Sequence, residues 1–201
     1  MRSTLDKLVS WTGLLLAMIL LVAGSLLLWG SLFISNEVDK QLSDQKITMP
    51  TSEVIAAQVE AGDLSKADGD ALEEFAGSQM NTGPEAKAYA DHFILAHTNN
   101  ATGGETYATL GDKQREVCPE RGSTEEPSEE CNTVTAQRLT AQTGSTLRGL
   151  LLYGYAFATM GTIALYAAIA AFVSALLMLA LGVLGLRHAK LVSKSGTAGS
   201  A

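Results

Sequence analysis

Two long stretches of this sequence contain no ionisable side chain, and they restrict the fold more than any other feature. The first lies between Lys7 and Glu37, and the second lies between Arg148 and Arg187. A helix rises about 1.5 Å per residue, so each stretch is long enough to cross roughly 30 Å of hydrocarbon. We therefore predict one membrane-spanning helix in each stretch.

The first apolar stretch has an alternative interpretation as a cleaved signal peptide, because Val22 to Ser25 offers small residues for cleavage. The apolar residues continue past this point to Trp29, however. The apolar part of a signal peptide is usually only about 7–15 residues long. We therefore expect the first stretch to be retained as a membrane anchor.

The second apolar stretch is too long for one perpendicular crossing, since a helix of its length would extend roughly 57 Å. Its first part contains Tyr153, Tyr155 and Phe157, and aromatic residues gather at membrane interfaces. We expect one long helix that is embedded from about residue 161, with its outer turns from Ser145 to Met160 covered by protein.

The flanking charges predict the orientation. Arg2 and Lys7 precede the first stretch, and Arg187, Lys190 and Lys194 follow the second. Cytoplasmic segments are enriched in Lys and Arg, so both ends are predicted to be cytoplasmic. Residues 36–148 hold 20 Asp and Glu against 9 Lys and Arg, a net charge of −11, and are predicted to lie outside the cell.

The predicted fold class is an all-α membrane protein of the plasma membrane, with two transmembrane helices flanking a small helical domain that contains one disulfide. Its parts are a cytoplasmic tail at 1–7, a transmembrane helix at 8–35, an extracytoplasmic domain at 36–148, a long second helix at 149–186 with its membrane part at about 161–186, and a cytoplasmic tail at 187–201.

Cys118 and Cys131 are the only cysteines, and both fall in the exported segment. An even number of cysteines in an oxidising compartment favours a disulfide, which we predict here. Free thiols are the alternative. A metal site is less expected, because the cysteine spacing is wrong for a zinc knuckle and no histidine is near in the sequence.

Capping signals divide the exported segment into short helices. Thr51 precedes a helix that should stop near Gly62, and Ser65 precedes another. Thr82, followed by proline and by Glu85, starts a third helix that should run to about His97 and end before two asparagines.

The rest of the exported segment has weaker signals. The pattern from Glu105 to Glu116 is weak, and the acidic stretch from Pro119 to Glu130 should be a solvated loop held by its cysteines. A helical segment from Asn132 to Gln142 should be broken at Gly144 and Ser145, before the second membrane helix begins.

Small residues recur every seven positions in both apolar stretches. A seven-residue period places them on one stripe of each helix, and small side chains allow helix backbones to approach closely in lipid. We predict a helix-packing role for both stripes, facing either each other or a partner. They consist of Ser10, Ala17, Gly24 and Ser31 in the first helix, and of Gly154, Gly161, Ala168, Ala175 and Gly182 in the second.

The sequence contains no pattern that predicts catalysis, transport or a bound cofactor. Neither crossing contains the ionisable residues that mark ion paths, and the membrane part offers no suitable haem ligands. His92 and His97 are about 140° apart on a helix, so they are poorly placed to chelate one metal ion. The acidic residues from Asp63 to Glu74 lack calcium-loop spacing. We expect no enzyme activity, metal or cofactor.

Several segments resemble a family of actinobacterial two-span membrane proteins, which we associate with accessory subunits of the cytochrome bcc–aa3 respiratory supercomplex. The most specific are residues 82–94, which include Thr82-Gly83 and Ala86-Lys87-Ala88-Tyr89-Ala90-Asp91-His92-Phe93-Ile94, and residues 146–163, which begin with Thr146-Leu147-Arg148-Gly149-Leu150. Shorter similar segments are Leu28-Trp29-Gly30, Gln45-Lys46-Ile47 and Thr106-Tyr107-Ala108. The acidic loop between the cysteines is not part of the family pattern.

The resemblance implies a non-catalytic structural or assembly subunit that binds along the catalytic subunits and holds no cofactor. The expected partners are membrane lipids and membrane subunits of cytochrome bcc, of the aa3 oxidase or of both, and no nucleic acid. The alternative is an extracytoplasmic envelope-biogenesis adaptor or a sensor-like protein, although the short predicted tails disfavour a sensor. The acidic domain could bind a basic partner surface, or its charge could simply maintain solubility.

Overall fold

A computed structural model describes residues 2–120 and 122–198 of the chain, with the side chains of residues 5–120 and 122–191. The described residues form seven α-helices and one π-helical segment, as predicted for an all-helical chain. They are α1 (Arg2–Asp44), α2 (Ser52–Ala61), α3 (Lys66–Glu73), α4 (Gly83–Ala88), the π-helical segment (Tyr89–Ile94), α5 (Leu95–Thr102), α6 (Tyr107–Val117) and α7 (Glu129–Ala198).

The chain divides into two compact units. The helix-pair unit contains the described residues up to Ser35 and from Met160 onward, which belong to α1 and α7. The central unit comprises Asn36–Thr159 and contains all the short helices. Both α1 and α7 contribute residues to both units.

Two helices are long and apolar enough to be candidate membrane spans, namely Leu5–Asp44 and Glu129–Leu191. Both are longer than the predicted crossings. The α1 helix continues past residue 35 into the central unit, where Leu42 is buried in the core. The apolar run defined the candidate crossing, but it could not show that the helix continues through the charged residues after it.

The predicted caps of α2 and α3 are confirmed. The Thr51 hydroxyl accepts a hydrogen bond from the Val54 amide, and Gly62 ends α2 with a left-handed φ of 82°. The Ser65 hydroxyl likewise accepts from the Asp68 amide at the start of α3. These side chains satisfy amides that the first helical turn leaves unpaired.

The predicted start of the third short helix is confirmed, but its predicted end is wrong. Thr82 and Glu85 form a reciprocal capping box, as expected. The helical chain then passes through the π-helical segment and continues beyond His97 to Thr102, where Gly103 adopts a left-handed φ of 66°. The two asparagines are helical because the glycine after them supplies the terminating conformation.

A helix that the weak sequence pattern did not predict, α6, covers most of the segment from Glu105 to Glu116. Thr106 caps it by accepting a hydrogen bond from the Thr109 amide, and Thr109 returns one through its own hydroxyl. Only Leu110 and Gly111 of α6 are buried. The helix therefore presents too narrow an apolar edge to produce a recognisable pattern.

The core of the central unit brings α1, α7 and the short helices together. Its buried residues are Leu42, Met49, Ile55, Leu64, Leu72, Met80, Ala86, Ala88, Ala90 and Leu151. A smaller cluster joins α6 to α7 through Leu110, Val134 and Ala141. The first part of α7 therefore belongs to the fold of the central unit.

The predicted break at Gly144 and Ser145 is wrong, because α7 runs without interruption from Glu129 to Ala198. Gly144 is buried against Thr98, and a Cβ at this position would collide with the threonine hydroxyl. The glycine thus permits close packing of α7 on α5 instead of ending a helix. Sequence alone did not distinguish these two uses of glycine.

The predicted disulfide between Cys118 and Cys131 is confirmed, with the two Cα atoms 4.9 Å apart. It joins the end of α6 to the first turn of α7. The described residues between Pro119 and Ser128 form the expected loop, and they are exposed from Glu120 onward. Glu129 and Glu130, which were expected in the loop, are helical.

Replacing Gly144 by alanine should destabilise the central unit by about 1–3 kcal/mol, because the new methyl group overpacks the contact with Thr98. The matched control is Gly149→Ala on the same helix, where a Cβ would meet nothing within 4 Å. That change should stabilise the helix by about 0.5–1 kcal/mol. Thermal unfolding of the full chain in detergent, followed by helical circular dichroism, measures both. Equal effects would contradict the packing role of Gly144.

Candidate functional site

The interior of the helix-pair unit contains only the smallest side chains. Every buried residue in the part of this unit whose side chains are described is glycine, alanine or serine. They are Ser10, Ala17, Gly24 and Ser31 of α1, and Gly161, Ala168, Ala175, Gly182 and Ala189 of α7. Eight of the nine belong to the two predicted stripes, and Ala189 lies seven residues beyond Gly182.

The two stripes lie against each other in the helix-pair unit. A Cβ built on Gly161 would be 3.1 Å from Cγ2 of Ile34, and one on Gly24 would be 3.1 Å from Cε1 of Phe172. One built on Gly182 would be 2.9 Å from Cδ2 of Leu14. The order of these contacts shows that α1 and α7 run antiparallel in this unit. Larger side chains at the glycines would force the two backbones apart.

Gly154, the remaining member of the predicted stripes, lies in the central unit and is half-buried. A Cβ on it would be 3.6 Å from Cδ2 of Leu42, which is an ordinary van der Waals distance. Its position therefore also faces α1, but without the tight fit seen at Gly161. The close approach of the two helices depends on glycine more strongly in the helix-pair unit.

Two serines of α1 in the helix-pair unit donate hydrogen bonds to carbonyl groups of their own helix. The buried Ser10 hydroxyl donates to the carbonyl of Asp6 at 2.7 Å, and the Ser25 hydroxyl donates to the carbonyl of Leu21 at 2.8 Å. Such bonds satisfy a polar side chain without water. These serines are therefore compatible with an apolar environment.

Large apolar side chains point outward from the helix pair. In the most apolar 18-residue segment of each long helix, only 11 % is buried in α1 and 17 % in α7. A helix in the core of a water-soluble protein would be mostly buried, so these surfaces need another apolar environment. Lipid or a neighbouring protein could supply it. The most exposed members include Trp11, Met18, Leu26, Trp29, Ile163, Tyr166, Leu176 and Leu181.

The central unit holds its part of α7 through a close contact and an ion pair. A Cβ on Gly83 would be 2.5 Å from Cβ of Ala158, so α4 begins directly against α7. Asp91 accepts a hydrogen bond from Nη2 of Arg148 on α7 at 2.9 Å and another from Nζ of Lys87 at 2.6 Å. The carboxylate thus connects the π-helical segment to the long helix.

The pKa of Asp91 is lowered even though partial burial acts to raise it. Hydrogen bonds from Lys87 and Arg148, together with their positive charges, outweigh the loss of hydration. Only 20 % of the Asp91 side chain is exposed, so solvent screens this cluster less than a surface pair. The ionised form of Asp91 is therefore part of the folded state.

Glu85 is a buried acid whose role is structural. Its carboxylate accepts hydrogen bonds from the Ser78 hydroxyl and from the amides of Asn81 and Thr82, at 2.8 to 2.9 Å. Burial acts to raise the pKa of Glu85, but these bonds lower it below the ordinary value. The carboxylate fixes the chain before α4 and leaves little capacity for a ligand.

The histidines considered as metal ligands have protein partners. His92 is hydrogen-bonded through Nδ1 to Asp68 at 2.9 Å, and His97 is bonded through Nδ1 to the carbonyl of Phe93 at 2.8 Å. Within residues 2–120 and 122–198, no group of three or more His, Cys, Asp or Glu could hold a metal ion.

Sequence analysis did not detect the contacts that join the central unit to α7. Asp91 and Arg148 are separated by 57 positions and carry no motif. Gly83 was recognised only as part of a helix start, and its contact with α7 was not predicted. Ala189 could have been found by continuing the seven-residue spacing beyond Gly182. Comparisons with known proteins add no further site, since no protein-family model, curated protein or solved structure matches this chain.

Replacing Ala168 by leucine should destabilise the helix pair by about 1–3 kcal/mol, because the larger side chain enters a fully buried contact. The matched control is Ala167→Leu, which adds the same atoms at the adjacent exposed position. We expect little change there. Thermal unfolding in detergent provides the measurement, and equal stability of the two variants would contradict the packing role of Ala168.

Replacing Asp91 by asparagine should destabilise the central unit by about 1–3 kcal/mol at neutral pH, because the amide removes the negative charge and turns an NH2 group toward Lys87 or Arg148 in place of an acceptor oxygen. Since the folded pKa is lowered, wild-type stabilisation is present above the ordinary Asp value of about 3.9 and is lost as pH falls through the folded pKa. The variant and wild type should therefore converge in acid.

The control for this pH experiment is Asp70→Asn, which removes an exposed pair with Lys66. Exposed ion pairs contribute about 0–1 kcal/mol, so this change should have a small effect. Unfolding midpoints measured from neutral to acid pH compare the two variants. A constant difference between Asp91→Asn and wild type at every pH would contradict the role of the ionised carboxylate.

Proposed function

We propose that this chain crosses the plasma membrane twice and serves as a non-catalytic accessory subunit of a cytochrome bcc–aa3 respiratory supercomplex. The observation that carries the membrane part is the helix pair itself, whose interior contains only Gly, Ala and Ser while its large apolar side chains face outward. This arrangement suits helices that pair in lipid, where close backbone contact replaces the hydrophobic effect as the driving force.

The proposed topology places both ends in the cytoplasm and the central unit outside the cell. The basic flanks of the apolar stretches support this orientation. The disulfide supports it as well, because disulfides persist in extracytoplasmic compartments and are rare in the cytosol. No ionisable residue lies between Lys7 and Glu37 or between Arg148 and Arg187, which favours a structural role over ion transport.

The respiratory assignment rests on the resemblance alone. The two most specific similar segments, residues 82–94 and 146–163, are far apart in sequence. In the central unit they meet through the Asp91–Arg148 ion pair and the contact of Gly83 with Tyr155 and Ala158. These two segments therefore pack against each other in the central unit.

The acidic surface offers a route for association with a basic partner. The segment between the cysteines contains five acids, Glu120, Glu125 and Glu126 in the loop and Glu129 and Glu130 in the first turn of α7. Attraction to a basic surface would extend about 8 Å at physiological salt. This loop lies outside the family resemblance, so the proposed function does not depend on it.

The proposal predicts that cytochrome bcc and aa3 oxidase subunits co-purify with the full chain from native membranes in mild detergent. Exposed Ala67 and Lys7 provide sites for single cysteines that test the topology with an impermeant maleimide. Ala67→Cys should be labelled in intact cells, and Lys7→Cys only after permeabilisation. The reverse pattern would contradict the topology. Isolation of envelope-assembly proteins without either respiratory complex would favour the adaptor function and contradict the respiratory assignment.

A further inference from the structure

The exposed apolar residues of the central unit are concentrated on one helix. Outside α7, two large apolar residues among the described side chains of this unit are exposed, Val54 and Tyr107. The others all lie on α7, and they are Leu139, Leu147, Leu150, Tyr153 and Phe157. Such a concentration marks an interaction surface in a unit that otherwise presents polar side chains.

Four of these residues, Leu139, Leu150, Tyr153 and Phe157, lie on one stripe of α7, and Leu147 lies beside it. Positions 139, 143, 146, 150, 153 and 157 follow each other at alternating intervals of four and three, and all six are exposed, with threonine at 143 and 146. Leu150, Tyr153 and Phe157 are 61 %, 67 % and 52 % exposed. Residues 141, 144 and 151 are buried on the side that packs in the central unit. We call the six exposed positions the α7 stripe.

The hydrocarbon of a bilayer does not account for the α7 stripe, because charged groups occupy the same height along the helices. Leu42 of α1 contacts Gly154 of α7, and the exposed residues Lys40 and Asp44 each lie two positions from Leu42, or about 3 Å along the helix. Tyr153 is next to Gly154. A bilayer that covered Tyr153 would therefore also surround Asp44, which is unfavourable.

The contacts of Lys87 and Arg148 lead to the same conclusion. Nζ of Lys87 lies 5.7 Å from the centre of the Tyr155 ring, and 42 % of the lysine side chain is exposed. Arg148 pairs with Asp91 within one turn of Leu150. The stripe thus lies at the height of solvated charges, where protein is the suitable cover for apolar side chains.

The spacing of the α7 stripe favours another helix as the covering element. Alternating intervals of three and four are those of a coiled-coil seam, in which two helices run side by side. Two copies of this chain inserted in one membrane in the same orientation would present their stripes in parallel and at equal height. This step rests on the membrane crossing that forms part of the proposed function.

The charge around the α7 stripe permits contact between identical copies. From Asn132 to Thr159 the sequence has no acidic residue, although the exported segment is strongly acidic elsewhere. Its two basic residues turn toward the central unit, since Arg138 donates to Gln114 and Arg148 donates to Asp91. The positions that flank the seam carry no charge, so no like charges would face each other directly across it.

We propose that the α7 stripe pairs with the α7 stripe of a second copy of this chain, with the two helices parallel outside the hydrocarbon. The interface would centre on Leu150, Tyr153 and Phe157. Aromatic side chains are enriched in protein interfaces and contribute a large share of the binding energy there. The flanking Ala156 has a small side chain, which leaves room for the helices to approach.

Single cysteines in the full chain test this pairing in native membranes. Leu150→Cys and Phe157→Cys should give a product of twice the 21.1 kDa monomer mass with a short bismaleimide, analysed on a reducing gel so that only the new thioether links remain. The controls are Ser145→Cys, at an exposed position of α7 outside the stripe, and Gln41→Cys, at an exposed position of α1. Both should remain monomeric.

A second arm measures association without a crosslinker. Two differently tagged copies should co-purify, and Leu150→Asp should abolish this while Ser145→Asp preserves it. Retained helical circular dichroism and unreactive Cys118 and Cys131 would show that Leu150→Asp still folds. The proposal would be overturned if the chain stayed monomeric with a cysteine at either stripe position, or if stripe and control positions gave equal amounts of product. A crosslinked product containing a different protein would also overturn it.

The same membranes separate this inference from the respiratory assignment. If respiratory subunits co-purify and no self-crosslink forms, self-pairing fails and the accessory function stands. If the self-crosslink forms without respiratory subunits, the pairing stands and the respiratory assignment fails.

Discussion

Close contact between two long helices requires that no bulky side chain stand between them, and this constraint determines the composition of the helix-pair unit. Its described buried positions are filled by Gly, Ala and Ser alone. Large residues are consequently confined to the outer surface, where they give the unit an apolar exterior. Dispersion contacts over a long, narrow seam then take the place of a conventional core.

The central unit solves a different packing problem around the same long helix. Its short helices have few apolar residues each, so they share a core with parts of α1 and α7. Gly83 and Gly144 allow α4 and α5 to approach α7, and Asp91 adds an ionic contact to Arg148. Within this unit, α7 has one side engaged in the fold and an opposite side with exposed apolar residues.

Local signals in the sequence predicted much of the fold, whereas contacts between distant residues remained hidden. The caps at Thr51, Ser65 and Thr82 were recognisable because capping depends on residues within one helical turn. The disulfide followed from there being only two cysteines. Gly144 was misinterpreted because its meaning depends on Thr98, which lies far away in the sequence. The seven-residue spacing identified the buried positions, but only the three-dimensional structure placed the two stripes against each other.

The disulfide between Cys118 and Cys131 gives the chain a covalent path that bypasses the acidic loop. If a protease cut the peptide backbone between the cysteines, the two fragments would stay linked, and α6 and α7 would remain tethered at their original junction. The loop sequence could equally be lengthened, for instance by an inserted epitope, without changing the distance between the helix ends. This part of the chain is consequently free to vary in length and composition while the helices around it remain in place.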